Sequence, residues 1–293
     1  MSPRFACFYV KMRRDLRNVD ATHLHALEYD AVREVLPMDY FAKAPEPVVQ
    51  VERLSLTYQS DEGEIEAIRE LSFSVYEGEI VSVIGPSGCG KSTLLSIASG
   101  LLTPTSGSVV ISGGGNIGYM LQKDSLFPWR TIRQNVLLGV EIRSQDKKDA
   151  SAYVDELLHT YGLWEFRDSF PDQLSGGMRQ RAALIRTLAV RPKLLLLDEA
   201  FSALDYQTRL AVADDIASII RHEKKTALMV THDISEAVAM SDRVIVLSRR
   251  PAVVKSVYDI QFAEGRGTPM QCRERAEFRS YFNSIWRDID VHI

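Results

Sequence analysis

A glycine-rich segment between a short apolar run and a helical pattern constrains this chain more than any other feature. The run Ile80–Ile84 has the length and apolar character of a buried parallel strand, and a helix is predicted from Lys91 to Ser99. Between them stands Gly85-Pro86-Ser87-Gly88-Cys89-Gly90-Lys91-Ser92-Thr93. Glycines let the backbone curl so that successive N–H groups point at one anion, and a helix N-terminus favours negative charge there. The segment therefore predicts a phosphate-binding loop.

This loop matches the pattern GxxxxGK[ST], which is typical of proteins that bind nucleoside triphosphates. We predict that Lys91 reaches the β- and γ-phosphates and that the Ser92 hydroxyl binds Mg²⁺. The motif alone leaves kinases, GTPases and many ATPases open. The residues predicted to cradle the nucleotide are Gly85, Pro86, Ser87, Gly88, Cys89, Gly90, Lys91, Ser92 and Thr93.

A second apolar run, Leu194–Leu197, ends in the carboxylates Asp198 and Glu199. A strand that is short and apolar is buried, so its acids must lie at the exposed carboxyl end, beside the phosphates. We expect Asp198 to complete the Mg²⁺ site. Glu199 is the expected general base for a water that attacks the γ-phosphate.

Strands and helices alternate through the second half of the chain, which indicates an α/β fold with a mostly parallel central sheet. Upstream, β-like alternation covers 48–57 and 71–76, while residues 130–190 are mostly helical in period. The strands and helices predicted in the second half are 193–198, 227–231 and 244–247 (strands) and 207–221 and 235–240 (helices).

The segment Leu174-Ser175-Gly176-Gly177-Met178-Arg179-Gln180-Arg181 opens a helix shortly before the acidic strand, and it resembles the signature of ABC (ATP-binding cassette) proteins. The resemblance implies a P-loop NTPase fold with an antiparallel β subdomain and a helical signature subdomain beside the central sheet. It also implies that Ser175, Gly176 and Gly177 contact the γ-phosphate bound by a second subunit. Two ATP molecules would then be buried in a functional dimer.

The remaining marks of the ABC family occur in the expected order. Gln122 corresponds to the glutamine that contacts Mg²⁺ and the attacking water, and His232 to the histidine that contacts the γ-phosphate. Ser202-Ala203-Leu204-Asp205 resembles the D-loop, which couples the two sites of the dimer, and Tyr58 could stack on adenine. Each of these residues alone would more often be structural. Their joint order carries the resemblance, which covers roughly residues 48–260.

The family pattern divides the chain into an N-terminal extension (1–47), the ATPase domain (48–260, with the helical subdomain at about 123–190) and a C-terminal helical tail (261–293). The extension begins basic and then shows helical spacing. It is interpreted as a loose tail, as residues that precede a true start at Met38, or as a helix that docks on a partner or on anionic lipid. Gly113-Gly114-Gly115 predicts a trimmed hairpin. The roughly forty residues after Arg250 are too few for an appended β-rich regulatory domain.

The composition of the chain limits which classes of binding partner are expected. The net charge of −4 gives no basic field, so nucleic acid is not an expected partner. Three scattered cysteines form no disulfide framework and suit a reducing cytosol. No stretch approaches the about 18 apolar residues of a membrane span, so a membrane role requires another chain. The resemblance implies a permease subunit that docks near Phe127 and Trp129, unless both rings pack inside the helical subdomain.

The segment Leu126–Val136, together with Arg243–Pro251, resembles the importer ATPases for nitrate, taurine and alkanesulfonates. Such importers pair two ATPase subunits, identical or paralogous, with two permeases and a periplasmic or lipid-anchored solute-binding protein. The resemblance implies a peripheral position on the cytoplasmic face of the membrane. It leaves the solute unnamed, since the partners carry that specificity. Export or lipoprotein-release motors and non-transport ABC ATPases remain alternatives.

Overall fold

The computed structural model describes residues 46–60, 63–113, 116–143, 147–202 and 204–290. The predicted extension, apart from its last two residues, therefore lies outside the described residues. So do Gly114 and Gly115 of the predicted hairpin and Ala203 of the D-loop.

A six-stranded sheet forms the centre of the fold. It has the order β5-β6-β7-β3-β8-β9, and its strands are parallel except for β9, which pairs antiparallel with β8. The strands β3, β6 and β7 are buried over nearly their whole length, as their apolar runs predict. The strands are β3 (Ile80–Ile84), β5 (Ile117–Met120), β6 (Leu194–Asp198), β7 (Thr226–Val230), β8 (Arg243–Leu247) and β9 (Val254–Asp259).

A three-stranded antiparallel sheet packs beside it, with the order β2-β1-β4. Its strands are β1 (Val49–Ser60), β2 (Gly63–Val75) and β4 (Ser106–Ile111). The alternating patterns found only part of it, because register shifts after Val51 and around Leu56 interrupt the inward-facing set. β4 and β9 escaped prediction since their burial is partial and they lack a continuous apolar face.

The helices are α1 (Lys91–Ala98), α2 (Ile132–Ile142), α3 (Lys147–Thr160), α4 (Gly176–Leu188), α5 (Tyr206–His222), α6 (Ile234–Met240), α7 (Pro269–Glu274) and α8 (Ala276–Asp290). Helices α2, α3 and α4 pack on one another through Val136, Val154 and Leu184. They form a helical layer, with two 3₁₀ turns at Trp164–Phe166 and Pro171–Gln173. The predicted α/β class, with its mostly parallel sheet, is confirmed.

The C-terminal helices α7 and α8 pack against α6 and the β8–β9 edge, with Cys272 and Ile285 fully buried. The tail is thus integrated into the core rather than extended from it. Among the described residues, no helix combines the length and apolar character that crossing a membrane requires.

Candidate nucleotide-binding site

The segment Gly85–Thr93 leaves β3 at its carboxyl end and enters α1. Gly88 and Gly90 have φ angles of +72° and +118°, which side chains with a Cβ rarely adopt, and a Cβ on Gly90 would lie 3.1 Å from the Ala67 carbonyl oxygen. Lys91 is only 6% exposed, and its Nζ donates to the carbonyl oxygens of Gly85 at 2.8 Å and Pro86 at 3.1 Å. The ammonium group therefore sits inside the curve of the loop, where a phosphate would be cradled.

An arginine that the motifs did not assign also contacts this loop. Arg250 Nη2 donates to the carbonyl oxygen of Gly88 at 2.8 Å. Together with Arg249 it lines one wall of an open pocket of about 530 Å³ whose other wall is Pro86–Gly88. The contact arises because β8 pairs with β3, so the residues after both strands meet at the same edge. The pocket next to the loop therefore carries positive charge, which suits a polyphosphate.

Asp198 lies at the end of β6, beside the start of α1. Its Oδ1 accepts from the Ser92 hydroxyl at 3.0 Å, and its Oδ2 accepts from the Tyr119 hydroxyl at 3.3 Å. Burial raises the pKa of Asp198 above its ordinary range, although both hydrogen bonds oppose the shift. Burial likewise raises the pKa of Tyr119 to about 12. Tyr119 is a site residue that sequence reasoning missed.

The residues predicted to hold Mg²⁺ fit that ion in donor chemistry. The Ser92 hydroxyl and the Asp198 carboxylate are oxygen donors that already converge within hydrogen-bonding distance. A partly buried carboxylate also gains from a nearby cation, because its charged form is otherwise poorly solvated. Gln122, the third predicted ligand, contacts the neighbouring carboxylate of Glu199.

Three predicted catalytic residues meet at the Glu199 carboxylate. Its Oε2 lies 3.3 Å from His232 Nδ1 and accepts from Gln122 Nε2 at 3.4 Å. Gln122 Nε2 also donates to the Ser202 hydroxyl at 3.0 Å. Glu199 has a φ of +45°, a strained value for a residue with a Cβ, while its N–H donates to the Val230 carbonyl at 2.9 Å. The backbone after β6 thus turns sharply enough to aim the two successive acids at different neighbours.

Tyr58 approaches the same edge from the antiparallel sheet. Its hydroxyl lies 3.1 Å from the Thr93 hydroxyl, and the residue is 41% exposed. An exposed ring at the start of α1 is available to a flat ligand, so the stacking role stays a prediction with a suitable position.

The predicted signature residues Ser175, Gly176 and Gly177 lie at the start of α4 and, among the described residues, do not contact the phosphate-binding loop by hydrogen bonds. The Ser175 hydroxyl caps α4 by accepting from the Met178 N–H at 3.3 Å. Gly176 and Gly177 let α4 approach the start of α5, since a Cβ on them would lie 3.0 Å from Leu204 and 2.8 Å from Val212. Within the described part of the chain, no hydrogen bond joins these residues to the Gly85–Thr93 loop.

Asp205 of the D-loop caps helix α5. Its Oδ1 accepts from the Thr208 N–H at 3.1 Å, and hydrogen bonding to Thr208 lowers the pKa of Asp205. One chain therefore gathers Lys91, Ser92, Gln122, Asp198, Glu199 and His232 at one edge of the sheet. It does not bring Ser175, Gly176, Gly177 or Asp205 to them.

The aromatic loop, residues 123–131, follows Gln122 directly. Phe127 and Trp129 stack with ring centroids 5.0 Å apart, and Trp129 is 70% exposed. The loop is rigid beneath the rings because the buried Asn135 bonds the backbone of Phe127, Arg130 and Thr131. Phe127 is half-buried and Trp129 is exposed, which disfavours the alternative that both rings pack inside the helical layer.

The aromatic loop is also tied to the signature helix. Arg186 of α4 donates to the carbonyl oxygens of Asp124 at 2.7 Å and Ser125 at 2.6 Å, and burial lowers its pKa. Arg179, in the signature itself, donates to the Asp124 carboxylate at 3.2 Å. A displacement of the aromatic loop would therefore shift α4, the helix whose N-terminus carries Ser175.

Comparisons with known proteins place the chain in a family. The model of the ABC transporter family matches residues 68–202. YtlC of Bacillus subtilis (strain 168), an uncharacterized ABC transporter ATP-binding protein, is 43% identical over 248 residues, which cover 83% of this chain and 95% of YtlC. The chain belongs to the ABC transporter ATP-binding proteins. The formylaminopyrimidine import ATP-binding protein ThiZ of Halalkalibacterium halodurans is 44% identical over 81% of this chain and 93% of its own length. The nitrate import ATP-binding protein NrtD of Synechocystis sp. is 36% identical over the same shares.

Solved structures agree with the family assignment. A dimeric bacterial ABC transporter cassette is 30% identical, with a TM-score of 0.63, over 73% of this chain and 99% of the cassette. A dimeric post-hydrolysis state of that cassette, bound to ADP and Pi, has a TM-score of 0.62 with the same identity and shares. The ABC cassette fold predicted from the motifs is confirmed. This ABC protein is an ATPase that binds adenine nucleotides.

Proposed function

We propose that this ABC ATPase is the motor subunit of an importer for a small solute of the nitrate, sulfonate or taurine type. The import function of ThiZ and NrtD supports the direction of transport, and the resemblance of Leu126–Val136 supports the class of solute. The observation that carries the proposal is one short stretch of chain. Gln122 contacts the Glu199 carboxylate, and the stacked pair of the half-buried Phe127 and the exposed Trp129 begins only a few residues later. A single segment therefore links the nucleotide site to a surface fit for a partner.

In the proposed mechanism, Lys91 and the N–H groups of the Gly85–Thr93 loop hold the β- and γ-phosphates. Glu199 accepts a proton from the attacking water, which Gln122 helps to orient, and His232 contacts the γ-phosphate. Ser92, Asp198 and Gln122 would hold Mg²⁺, which supplies positive charge against the phosphates when bound. Tyr58 stacks on adenine.

The second half of each site comes from another subunit in this proposal. Ser175, Gly176 and Gly177 lie at the N-terminus of α4, where the exposed Ser175 would meet a γ-phosphate bound by the other subunit, and Asp205 couples the two sites. The dimeric state of the similar cassettes supports this arrangement. The partner is a second copy or a paralogous ATPase. ATP-driven closure of the two subunits then moves the permeases.

The aromatic loop is the proposed permease contact. An exposed aromatic ring on a hydrogen-bonded backbone, as Trp129 is, loses little entropy on binding, and such rings commonly anchor interfaces. The protein would accordingly act at the cytoplasmic face of the membrane, with a solute-binding protein on the far side of the permeases.

The test is co-purification from native membranes. The tagged chain is extracted in mild detergent and its partners are identified by mass spectrometry, with Trp129→Ala beside the wild type. We expect a multi-span permease and a solute-binding protein with the wild type. We expect about 30-fold weaker permease capture for Trp129→Ala, which is typical of a lost interface anchor. The matched control is Trp286→Ala, since Trp286 is also exposed but lies on α8; it should retain the permease.

The other outcomes separate the alternatives. A permease with large extracytoplasmic domains and no solute-binding protein would replace the importer with an export or lipoprotein-release motor. Recovery without any membrane protein would contradict the transport function and leave a non-transport ABC ATPase. Equal permease capture by Trp129→Ala and the wild type would contradict the docking site alone.

A further inference from the structure

Arg209, in the first turn of α5, contacts the D-loop that precedes it. Its Nη2 donates to the carbonyl oxygen of Leu204 at 3.0 Å, and the side chain is 23% exposed. The guanidinium group thus fixes the D-loop backbone next to Asp205.

The other side of the same guanidinium faces the segment around His232. Its Nη1 lies 3.6 Å from Asp233 Oδ2, and its Nε lies 4.0 Å from Glu236 Oε1. Arg209 Nε is buried and makes no hydrogen bond among the described residues. Arg209 is therefore held near Asp233 and Glu236 by charge rather than by direct hydrogen bonds.

Glu236 is the buried member of this group, with 4% exposure. Its Oε2 accepts from the Thr231 hydroxyl at 2.7 Å, and that hydroxyl accepts from the Asp233 N–H at 3.0 Å. The residues on either side of His232 are thereby tied to Glu236. His232 itself faces Glu199, the proposed base.

We propose that Arg209 and Glu236 are positioning residues that join the D-loop to His232. A displacement of Leu204 or Asp205 would move Arg209, and the ties through Asp233, Glu236 and Thr231 would carry that displacement to His232 and so to Glu199. The D-loop is the element that a second subunit is proposed to touch. The pair therefore lets one nucleotide site respond to the state of the other.

The inference rests on the proposed catalytic role of His232, and the variants are chosen to separate the two. Steady-state ATP hydrolysis is measured for Arg209→Met, Glu236→Gln, their double variant and His232→Ala, with nucleotide binding and thermal unfolding recorded for each. Arg221→Met is the matched control. Arg221 is a half-buried arginine on the same helix, paired with Asp242 at 3.1 Å beside the opposite edge of the sheet.

We expect Arg209→Met and Glu236→Gln each to lower kcat about 10-fold. The KM for ATP should change by less than about twofold, since only the placement of reacting groups is disturbed. The double variant should lose no more than the worse single variant, because both residues act through one path. Arg209→Lys, which keeps the charge facing Asp233 and Glu236, should recover part of the loss. Arg221→Met should keep the wild-type kcat.

Additive losses in the double variant, or a wild-type kcat in both single variants, would overturn the inference. So would an equal loss of kcat in Arg221→Met, since the effect would then be a general consequence of removing an arginine from α5. A wild-type kcat in His232→Ala would contradict the proposed catalytic role of His232, and the inference, which rests on that role, would be contradicted as well.

Discussion

Charged side chains cluster at both ends of the parallel strands in the six-stranded sheet. The side where these strands begin is called the amino edge, and the side where they end is called the carboxyl edge. The two clusters are built differently. At the amino edge, Asp242 accepts from the Ile80 N–H at 2.9 Å and lies between Arg221 at 3.1 Å and Arg266 at 3.4 Å. Arg266 also donates to the carbonyl oxygens of Ala239 at 3.0 Å and Ile260 at 3.2 Å. Asp242, Arg221 and Arg266 therefore find their ion-pair and hydrogen-bond partners within the protein.

At the carboxyl edge, side chains that follow different strands face one another. Glu199 meets His232 and Gln122 at 3.3 and 3.4 Å, and each of these partners comes from the end of a different strand. A cluster of charges thus does not by itself mark an active site. The carboxyl edge differs because its side chains converge next to the phosphate-binding loop, where they can contact a bound nucleotide. The amino edge is expected to affect stability, and the carboxyl edge activity.

The largest expected effect is on turnover. Glu199→Gln removes the proton acceptor but keeps the size of the side chain, so kcat should fall at least about 100-fold while ATP affinity is retained. Phosphate release and nucleotide binding, measured on the same preparation, check this. Turnover equal to the wild type would show that Glu199 is not the base.

A smaller effect is expected in nucleotide binding. Lys91→Ala removes the buried ammonium group from the cradle, and the affinity for ATP should fall about 30-fold, as expected for a lost hydrogen bond to a charged group. Binding of a fluorescent ATP analogue measures the loss. An unchanged dissociation constant would count against the loop as the phosphate cradle.

The amino edge should respond in the opposite way. Asp242→Ala leaves Arg266 without its carboxylate, and we expect the free energy of unfolding to drop by about 2 kcal/mol, less than for a fully buried pair because Asp242 is half-buried. Denaturant unfolding gives this value. Turnover per folded molecule should stay at the wild-type level; a selective loss of kcat would break the contrast between the edges.

The smallest effect concerns pH. Burial raises the pKa of Glu236 from its ordinary 4.5 to about 7, against the opposing influences of Thr231, Arg209 and His232 and with the support of Asp233. The folded protein therefore binds this proton more tightly than the unfolded chain, and its stability falls as pH rises through 7. Glu236→Gln lacks this loss. Its stability relative to the wild type should increase by on the order of 1 kcal/mol between pH 6 and 8. A pH-independent difference in thermal unfolding would show that Glu236 does not titrate in this range.

The sequence was sufficient for the parts of the site that are local. The strand before Gly85, the helix that begins at Lys91 and the acids at the end of β6 are each encoded within a few residues, so their prediction from periodicity and motif holds in the structure. The predicted domain boundaries and the roles of the site residues remain predictions.

Residues whose partners are distant in sequence could not be found in this way. Tyr119 reaches Asp198 only because β5 pairs with β6 in a register that sets Tyr119 opposite Leu196. Arg250 reaches Gly88 only because β8 lies next to β3. Strand order and register come from the packing of the whole sheet, which a single sequence does not reveal. Arg209 and Glu236 were missed for the same reason, since their link depends on how α5 lies beside α6.

In the proposed function, the carboxyl edge of one chain forms half of an ATP site, and a second subunit completes that site. This arrangement is tested most directly by sedimentation velocity of Glu199→Gln, with and without Mg²⁺-ATP, beside the double variant Glu199→Gln/Ser175→Arg, which blocks the signature. We expect ATP to convert Glu199→Gln from monomer to dimer and to leave the double variant monomeric. A Glu199→Gln protein that binds ATP yet stays monomeric would contradict it, as would a dimer that forms equally well with Arg at position 175.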